Sequence, residues 1–230
     1  MLLIDKPHGW TSFDVVNKVR SCLKYGPGIK KVKVGHAGTL DPLATGLLLV
    51  CIGKYTKLID KLTGKNKSYL ADIKLGATTK TYDRESEEEN IISTENISEE
   101  ALKEAACGFI GTNHQLPPVY SAIKVNGVSA HRLARRGKDV ELKSRKVEII
   151  QFEITDWNNP MLKAHITCSK GTYIRSLAHD LGQSLGCGGY LHDLRRTSIG
   201  MYNLDNAMNI DEVITWINLL PESQKELGHN

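Results

Sequence analysis

Asp41 and His36 stand five residues apart in Gly35-His36-Ala37-Gly38-Thr39-Leu40-Asp41-Pro42-Leu43-Ala44-Thr45-Gly46. Three glycines and a proline in twelve residues exclude a regular helix or a central strand there. Pro42 biases Asp41 away from the helical region, so the aspartate is expected on extended or turning backbone. The apolar run Leu47 to Ile52 follows at once and would anchor the loop to a buried element. A single carboxylate thus sits on a stiff loop beside a histidine. It could serve as nucleophile, general base or metal ligand, and Asp-Pro is also a common turn opener. The local pattern leaves these open.

Other segments carry residues fit for chemistry. Arg175 lies in Gly171-Thr172-Tyr173-Ile174-Arg175-Ser176-Leu177-Ala178, near the start of an expected helix just after a strand. From there a side chain can point into a cleft; alone, it reads as a surface arginine on an amphipathic helix. Tyr69 opens an alternating segment after Lys67-Ser68, where tyrosine is usually core. Leu194-Arg195-Arg196 follows the glycine pair Gly188-Gly189, and Lys124 ends Pro117-Pro118-Val119-Tyr120-Ser121-Ala122-Ile123-Lys124.

The elements that must position these groups read as a mixed α+β fold with antiparallel strands. Leu2 to Ile4 is expected as a short strand and Lys6-Pro7-His8-Gly9 as a turn. Ser12 can cap a helix whose apolar residues are Phe13, Val16, Val19 and Leu23. The run from Leu47 to Ile52 fits either a buried strand or a helix. Tyr69 to Gly76 alternates as a half-buried strand. Arg84 to Glu100 reads as a solvated acidic excursion running into a helix capped by Ser98 and stopped by Gly108. Residues 115–143 are rich in turn formers and arginines, Asn126-Gly127 and Arg135-Arg136-Gly137 among them. Lys146 to Trp157 and Leu162 to Cys168 alternate as strands. A helix carries Ile174, Leu177, Ala178 and Leu181. Asn209 and Glu212 predict a capping box for a last helix through Val213, Trp216 and Ile217.

The chain has 230 residues, enough for one sizeable core or two small domains, and its 40% hydrophobic and 24% charged content is that of a globular protein. No apolar run approaches a membrane span, and the amino terminus reaches a charge too soon for a signal peptide. Five scattered cysteines without a C-x-x-C pair argue for a reducing compartment and against a zinc site. The net charge of +4 is uneven: +9 over residues 1–80, −7 over 81–110, +6 over 111–200 and −4 over 201–230. Two basic regions around an acidic insert suit a polyanion-binding surface, although solvated faces read the same way.

The segment from Gly35 to Gly46 resembles the catalytic motif of the tRNA pseudouridine synthase B family, Gly-His-x-Gly-Thr-Leu-Asp-Pro-x-Ala-x-Gly. Asp5-Lys6-Pro7-His8-Gly9-Trp10-Thr11-Ser12 is similar to that family's Asp-Lys-Pro-x-Gly-x-Thr-Ser. The segments around Tyr69, Pro117, Arg175 and Leu194 follow in the family's order. The resemblance implies a mixed, largely antiparallel sheet with flanking helices over residues 1–200, with an RNA-binding thumb insertion at about 115–143. It implies isomerisation of uridine 55 in the tRNA T-loop to pseudouridine on a flipped-out base. Asp41 would be the nucleophile, Arg175 its paired cation and Tyr69 the ring stacked on the base. His36 would occupy the space left by the flipped nucleotide. Leu194 would wall the uracil pocket, Arg195 and Arg196 would meet phosphates, and Tyr173 and Lys124 would contact substrate. The Asp5–Ser12 segment would support the site from beneath.

The chain departs from the family pattern at three places. Lys80 stands where an acidic residue is usual, His131 where tyrosine is usual, and residues 201–230 read as a short helical extension too small for the RNA-binding PUA domain that members commonly carry. The resemblance further implies no cofactor and no metal, tRNA as the partner through its T-arm, no membrane, no required protein partner, a monomer, and a cytoplasmic location. Two rivals remain within reach of the same residues: a guide-RNA-dependent pseudouridine synthase, and an RNA-binding tRNA-folding chaperone for which catalysis is secondary. A glycosidase would need two carboxylates flanking the bond, and no second carboxylate shares the motif.

Overall fold

The computed structural model of the chain describes residues 1–29, 31–125 and 127–221. Asn126 of the expected Asn126-Gly127 turn and residues 222–230 of the expected extension lie outside them. In chain order the elements are β1 (Leu2–Lys6), α1 (Ser12–Tyr25), β2 (Val34–Ala37), β3 (Thr45–Ile52), α2 (Ile59–Thr63) and β4 (Lys67–Leu75). Next come β5 (Thr78–Thr79), β6 (Glu88–Glu89), α3 (Glu99–Gly108), β7 (Gly111–Gln115), β8 (Lys124–Val125), β9 (Val128–Ser129) and α4 (Ala130–Ala134). The chain continues through β10 (Arg145–Asn158), β11 (Met161–Cys168), α5 (Ile174–Ser184), β12 (Gly189–Ile199), β13 (Tyr202–Asn203) and α6 (Ile210–Asn218). This is a mixed fold with a largely antiparallel sheet and helices. It divides into two compact units, Met1–Tyr69 with the chain from Leu194 onward, and Leu70–Asp193.

In the first unit β3 pairs antiparallel with β1 and β2 and parallel with β12, Arg195 opposite Thr45 and Arg196 opposite Gly46. The Leu47–Ile52 run is therefore a strand. It is apolar throughout because both of its faces are buried: Leu48 and Val50 join Ile4, Val15, Val16, Val19, Val213 and Ile217, while Leu47, Leu49 and Cys51 join Leu62 and Ile199.

Helix α1 starts one residue earlier than Ser12 would set it. Thr11 is the cap: its hydroxyl accepts from the Asp14 N–H at 3.0 Å and the Asp14 carboxylate accepts from the Thr11 N–H at 2.8 Å. The apolar face also shifts, burying Val15 and leaving Phe13 60% exposed. Asn209 and Glu212 do form the expected box on α6, but only Val213 and Ile217 are buried; Trp216 is 44% exposed.

The second unit is built on the long β10–β11 hairpin, flanked on β10 by antiparallel β7. Helix α3, capped by Ser98, buries Leu102 and Ala106 and packs on β10. The acidic excursion folds back further than expected. Its β6 pairs with β5, and Glu88 and Glu89 meet Lys74 and Lys80 at 2.5 and 2.9 Å. Within residues 115–143, β8 and β9 form a small hairpin leading into α4.

Candidate functional site

The loop between β2 and β3 carries Asp41 and is braced from several sides within the first unit. From the amino-terminal segment, Gly9 donates its N–H to the Pro42 carbonyl at 2.9 Å. The Lys6 ammonium reaches the carbonyls of Pro7, Trp10 and Pro42 at 2.9, 2.6 and 3.3 Å. Ser12, freed from capping, is buried and bonded to both backbone groups of Leu40. From β12, the Arg196 guanidinium donates to the carbonyls of Leu47, Gly38 and Thr39 at 2.7, 3.0 and 3.4 Å. A Cβ on Gly38 would stand 3.5 Å from both the Arg196 guanidinium and Lys67 Cε.

Three cations, Lys6, Lys67 and Arg196, are thus buried around a loop that holds one carboxylate. Lys6 is fully buried, and burial lowers its pKa from 10.5 to about 8; the Asp41 carboxylate opposes that shift and Arg196 adds to it. Lys67 spends its ammonium on the carbonyls of Thr63 and Lys65 at 2.7 and 2.6 Å. His36, on β2, is half-buried, and burial together with the Arg196 cation pushes its pKa down. Its Nδ1 is buried with no hydrogen-bond partner among the described residues. Tyr69 is buried on β4 in line with Lys67, Ala71, Ile73 and Leu75. Asp41 itself is half-buried.

Gly46 ends the motif for a steric reason. Its φ is +100°, and a Cβ there would lie 2.3 Å from the Arg196 carbonyl oxygen. Only glycine lets β3 close on β12 at this point.

Arg196 lies inside the fold. It is 1% exposed and its guanidinium is directed into the loop carbonyls rather than outward. Arg195 faces the other way on the strand and makes a two-pronged pair with Asp5, at 2.6 and 3.2 Å. Leu194 is half-buried beside them, its carbonyl accepting from the Thr45 hydroxyl at 3.4 Å.

In the second unit Arg175 is buried near the start of α5, contrary to the surface position its helix alone suggests. Its guanidinium donates to the carbonyls of Thr81 and Tyr120, each at 3.1 Å, and lies 3.3 Å from Asp83 Oδ2. Asp83 Oδ1 accepts in turn from the Thr81 hydroxyl at 2.6 Å and the Glu85 N–H at 3.0 Å. Tyr173 caps α5 by position, its backbone clamped by the Gln115 amide, which accepts from its N–H at 2.8 Å and donates to its carbonyl at 3.0 Å. Lys124 is exposed on β8. His131 bonds through Nδ1 to the Ser121 carbonyl at 3.1 Å.

The sequence reading missed Lys67 and gave Lys6 only a supporting part. The signal was present: Lys6 continues the face of Leu2 and Ile4, and Lys67 that of Tyr69, Ala71 and Ile73, so each lysine lies on a core face. Asp83, three residues beyond Lys80, pairs with Arg175 in the structure, a partnership the sequence analysis did not assign. Among the described residues no group of three or more His, Cys, Asp or Glu could hold a metal ion, and no helix is long and apolar enough to cross a membrane.

The sequence matches the family described as TruB family pseudouridylate synthase (N terminal domain) over residues 27–174, and the tRNA pseudouridylate synthase B C-terminal domain over residues 175–227. The second match spans residues that the sequence reading divided between the catalytic domain and the short extension. The tRNA pseudouridine synthase B of Parabacteroides distasonis is 48% identical over 213 residues, covering 93% of this chain and 91% of the relative. Those of Flavobacterium johnsoniae and Chlorobaculum tepidum are each 49% identical, covering 91% and 93% of this chain and 92% and 88% of theirs. Among solved structures, the archaeal box H/ACA sRNP Nop10-Cbf5 complex superposes with a TM-score of 0.68 at 22% identity, over 99% of this chain and 58% of that one. A Cbf5-Nop10-Gar1 complex gives 0.71 at 24%, over 100% and 56%. The chain thus spans a little over half of those solved chains, and at such identity the likeness is one of fold.

Proposed function

The chain belongs to the TruB family of pseudouridylate synthases, and on that premise we propose that it isomerises uridine 55 in the T-loop of tRNA, with Asp41 as nucleophile. The reaction breaks the bond between uridine N1 and ribose C1′, turns the base over and joins C5 to C1′. The C5 proton leaves and N1 gains one, so the base is isomerised without a co-reactant. Asp41 must be ionised to act, whether it bonds to C1′ or C6 or abstracts a proton on a glycal route.

The observation that best supports this reading is the setting of the Asp41 loop among Lys6, Lys67 and Arg196. Fixed positive charges beside the loop favour an anion there, and the Asp41 carboxylate in turn opposes the lowering of the Lys6 pKa by burial. In this reading Arg175 belongs to the catalytic set, and Tyr69 stacks on the flipped base, as unpaired bases are generally held. His36 and Leu194 shape the pocket. Tyr173, Lys124 and the exposed Arg132, Arg135 and Arg136 of the thumb contact the RNA. The relatives' name supplies tRNA as substrate. The enzyme acts alone, as a monomer in the cytoplasm, without metal or cofactor.

The test is release of tritium from a bare tRNA transcript carrying 5-tritiated uridine, since bond formation at C5 expels that atom. Release without guide RNA or a partner protein supports the proposal. Release only on adding a guide RNA moves the assignment to a guide-dependent enzyme. Refolding of tRNA by wild type and Asp41→Asn alike, with no release, moves it to a chaperone.

A further inference from the structure

Tyr82 has a left-handed backbone, with φ at +61°. Side chains bulkier than Asn or Asp rarely adopt it, and such a conformation persists only where the surroundings over-determine it. Three contacts do so. The Tyr82 N–H donates to the Thr79 carbonyl at 3.2 Å, and its carbonyl accepts from the Leu191 N–H at 3.0 Å. Its ring stacks on the His179 imidazole, with centroids 3.9 Å apart and planes within 9° of parallel. Glycine would take this backbone without steric cost, so what tyrosine adds is the ring contact.

The residues on either side of Tyr82 both hold Arg175, Thr81 by its carbonyl and Asp83 by its carboxylate, and the Tyr120 carbonyl adds a third partner. On α5, Arg175 and His179 are one turn apart and so share a face. Three consecutive loop residues therefore dock on two side chains of one helix face. Removing the ring would let the turn relax out of its left-handed conformation and carry Thr81 and Asp83 away from the guanidinium.

We propose that Tyr82 and His179 are positioning residues, whose stack fixes the turn from Thr81 to Asp83 on α5 and thereby holds the Arg175 guanidinium in one orientation. The inference rests on Arg175 belonging to the catalytic set. Its test compares Tyr82→Ala, Tyr82→Phe, His179→Ala, His179→Phe and the double alanine variant, each checked for cooperative melting. Single-turnover pseudouridine formation and Kd for the same tRNA transcript are measured together. Each alanine variant is expected to slow the chemical step by about tenfold with Kd within about twofold, and the double variant to be no slower than either. The phenylalanine variants, which keep a stacked ring, are expected to stay within about threefold of wild type.

Tyr82→Ala turning over at the wild-type rate would overturn the proposal, as would a loss that Tyr82→Phe shares or that follows RNA affinity. If Tyr82→Ala does not fold, Tyr82→Gly, which accepts the backbone, replaces it. If wild type itself makes no pseudouridine, the functional reading fails, and the Arg175 Nε–H resonance in ¹⁵N spectra decides the positioning claim alone. A sharp resonance broadened by Tyr82→Ala supports it; an unchanged one overturns it.

Discussion

Ser12 Oγ holds both backbone polar groups of Leu40, accepting from its N–H at 2.8 Å and donating to its carbonyl at 3.1 Å. Leu40 precedes Asp41, and Ser12 is the first residue of α1, so one side chain ties the helix start to the proposed nucleophile.

Ser12→Ala leaves a buried N–H and a buried carbonyl unmade. The variant is expected to lose about 1–3 kcal/mol of stability and to slow turnover more than it weakens RNA binding. Urea unfolding beside single-turnover rates would check this. An unchanged midpoint would mean that the loop is held by its other braces.

Lys6 makes stability rise with pH. Its folded pKa of about 8 lies below the ordinary 10.5, so between those values the unfolded chain binds the more protons and the folded state gains as pH rises. Below pH 8 the cost of the buried charge is fully present, on the order of 3 kcal/mol. Unfolding free energies of wild type and Lys6→Met from pH 7 to 10.5 should diverge in favour of wild type; parallel curves would contradict the assignment.

Arg196→Met should act on the fold. The change leaves the carbonyls of Leu47, Gly38 and Thr39 without the Arg196 donors, and a loss on the order of 3 kcal/mol is expected. A phosphate contact would instead appear in the salt dependence of RNA binding. The slope of log Kd against log salt is therefore expected to match wild type. A stable variant with a shallower slope would restore the phosphate role.

His36 is expected to shape the pocket without carrying the chemistry. His36→Ala should slow turnover about tenfold, whereas Asp41→Ala is expected to abolish it. Because burial and the Arg196 cation lower the His36 pKa below 6.5, the unfolded state binds more protons in the window between the two values. Stability therefore falls as pH drops through that window, and His36→Ala should flatten this part of the acid limb. Loss of activity equal to Asp41→Ala would refute the division of roles.

Most of the fold was legible where periodicity and caps spoke together, as on α3 and α6 with Ser98 and Asn209. The run from Leu47 to Ile52 was ambiguous because a strand buried on both faces has no alternation to show. At α1, two adjacent capping residues competed; Thr11 won because Asp14, three residues on, could complete the box, and Ser12 was then free for Leu40. Asp41 and its loop stood out by composition and by resemblance. The cations around that loop did not, because a lysine in sequence reads as surface until strand register shows which face it continues. The burial of Arg196 was not legible for that reason. Its neighbour Arg195 points the other way, and a tripeptide cannot say which of two adjacent strand residues faces the core.

The measurement closest to the central claim is site-resolved pseudouridine mapping on an unmodified tRNA transcript, after incubation with wild type and with Asp41→Ala. Conversion confined to the T-loop uridine and absent from the variant is the predicted result. Conversion elsewhere, or conversion that survives Asp41→Ala, would contradict the account of position or of nucleophile.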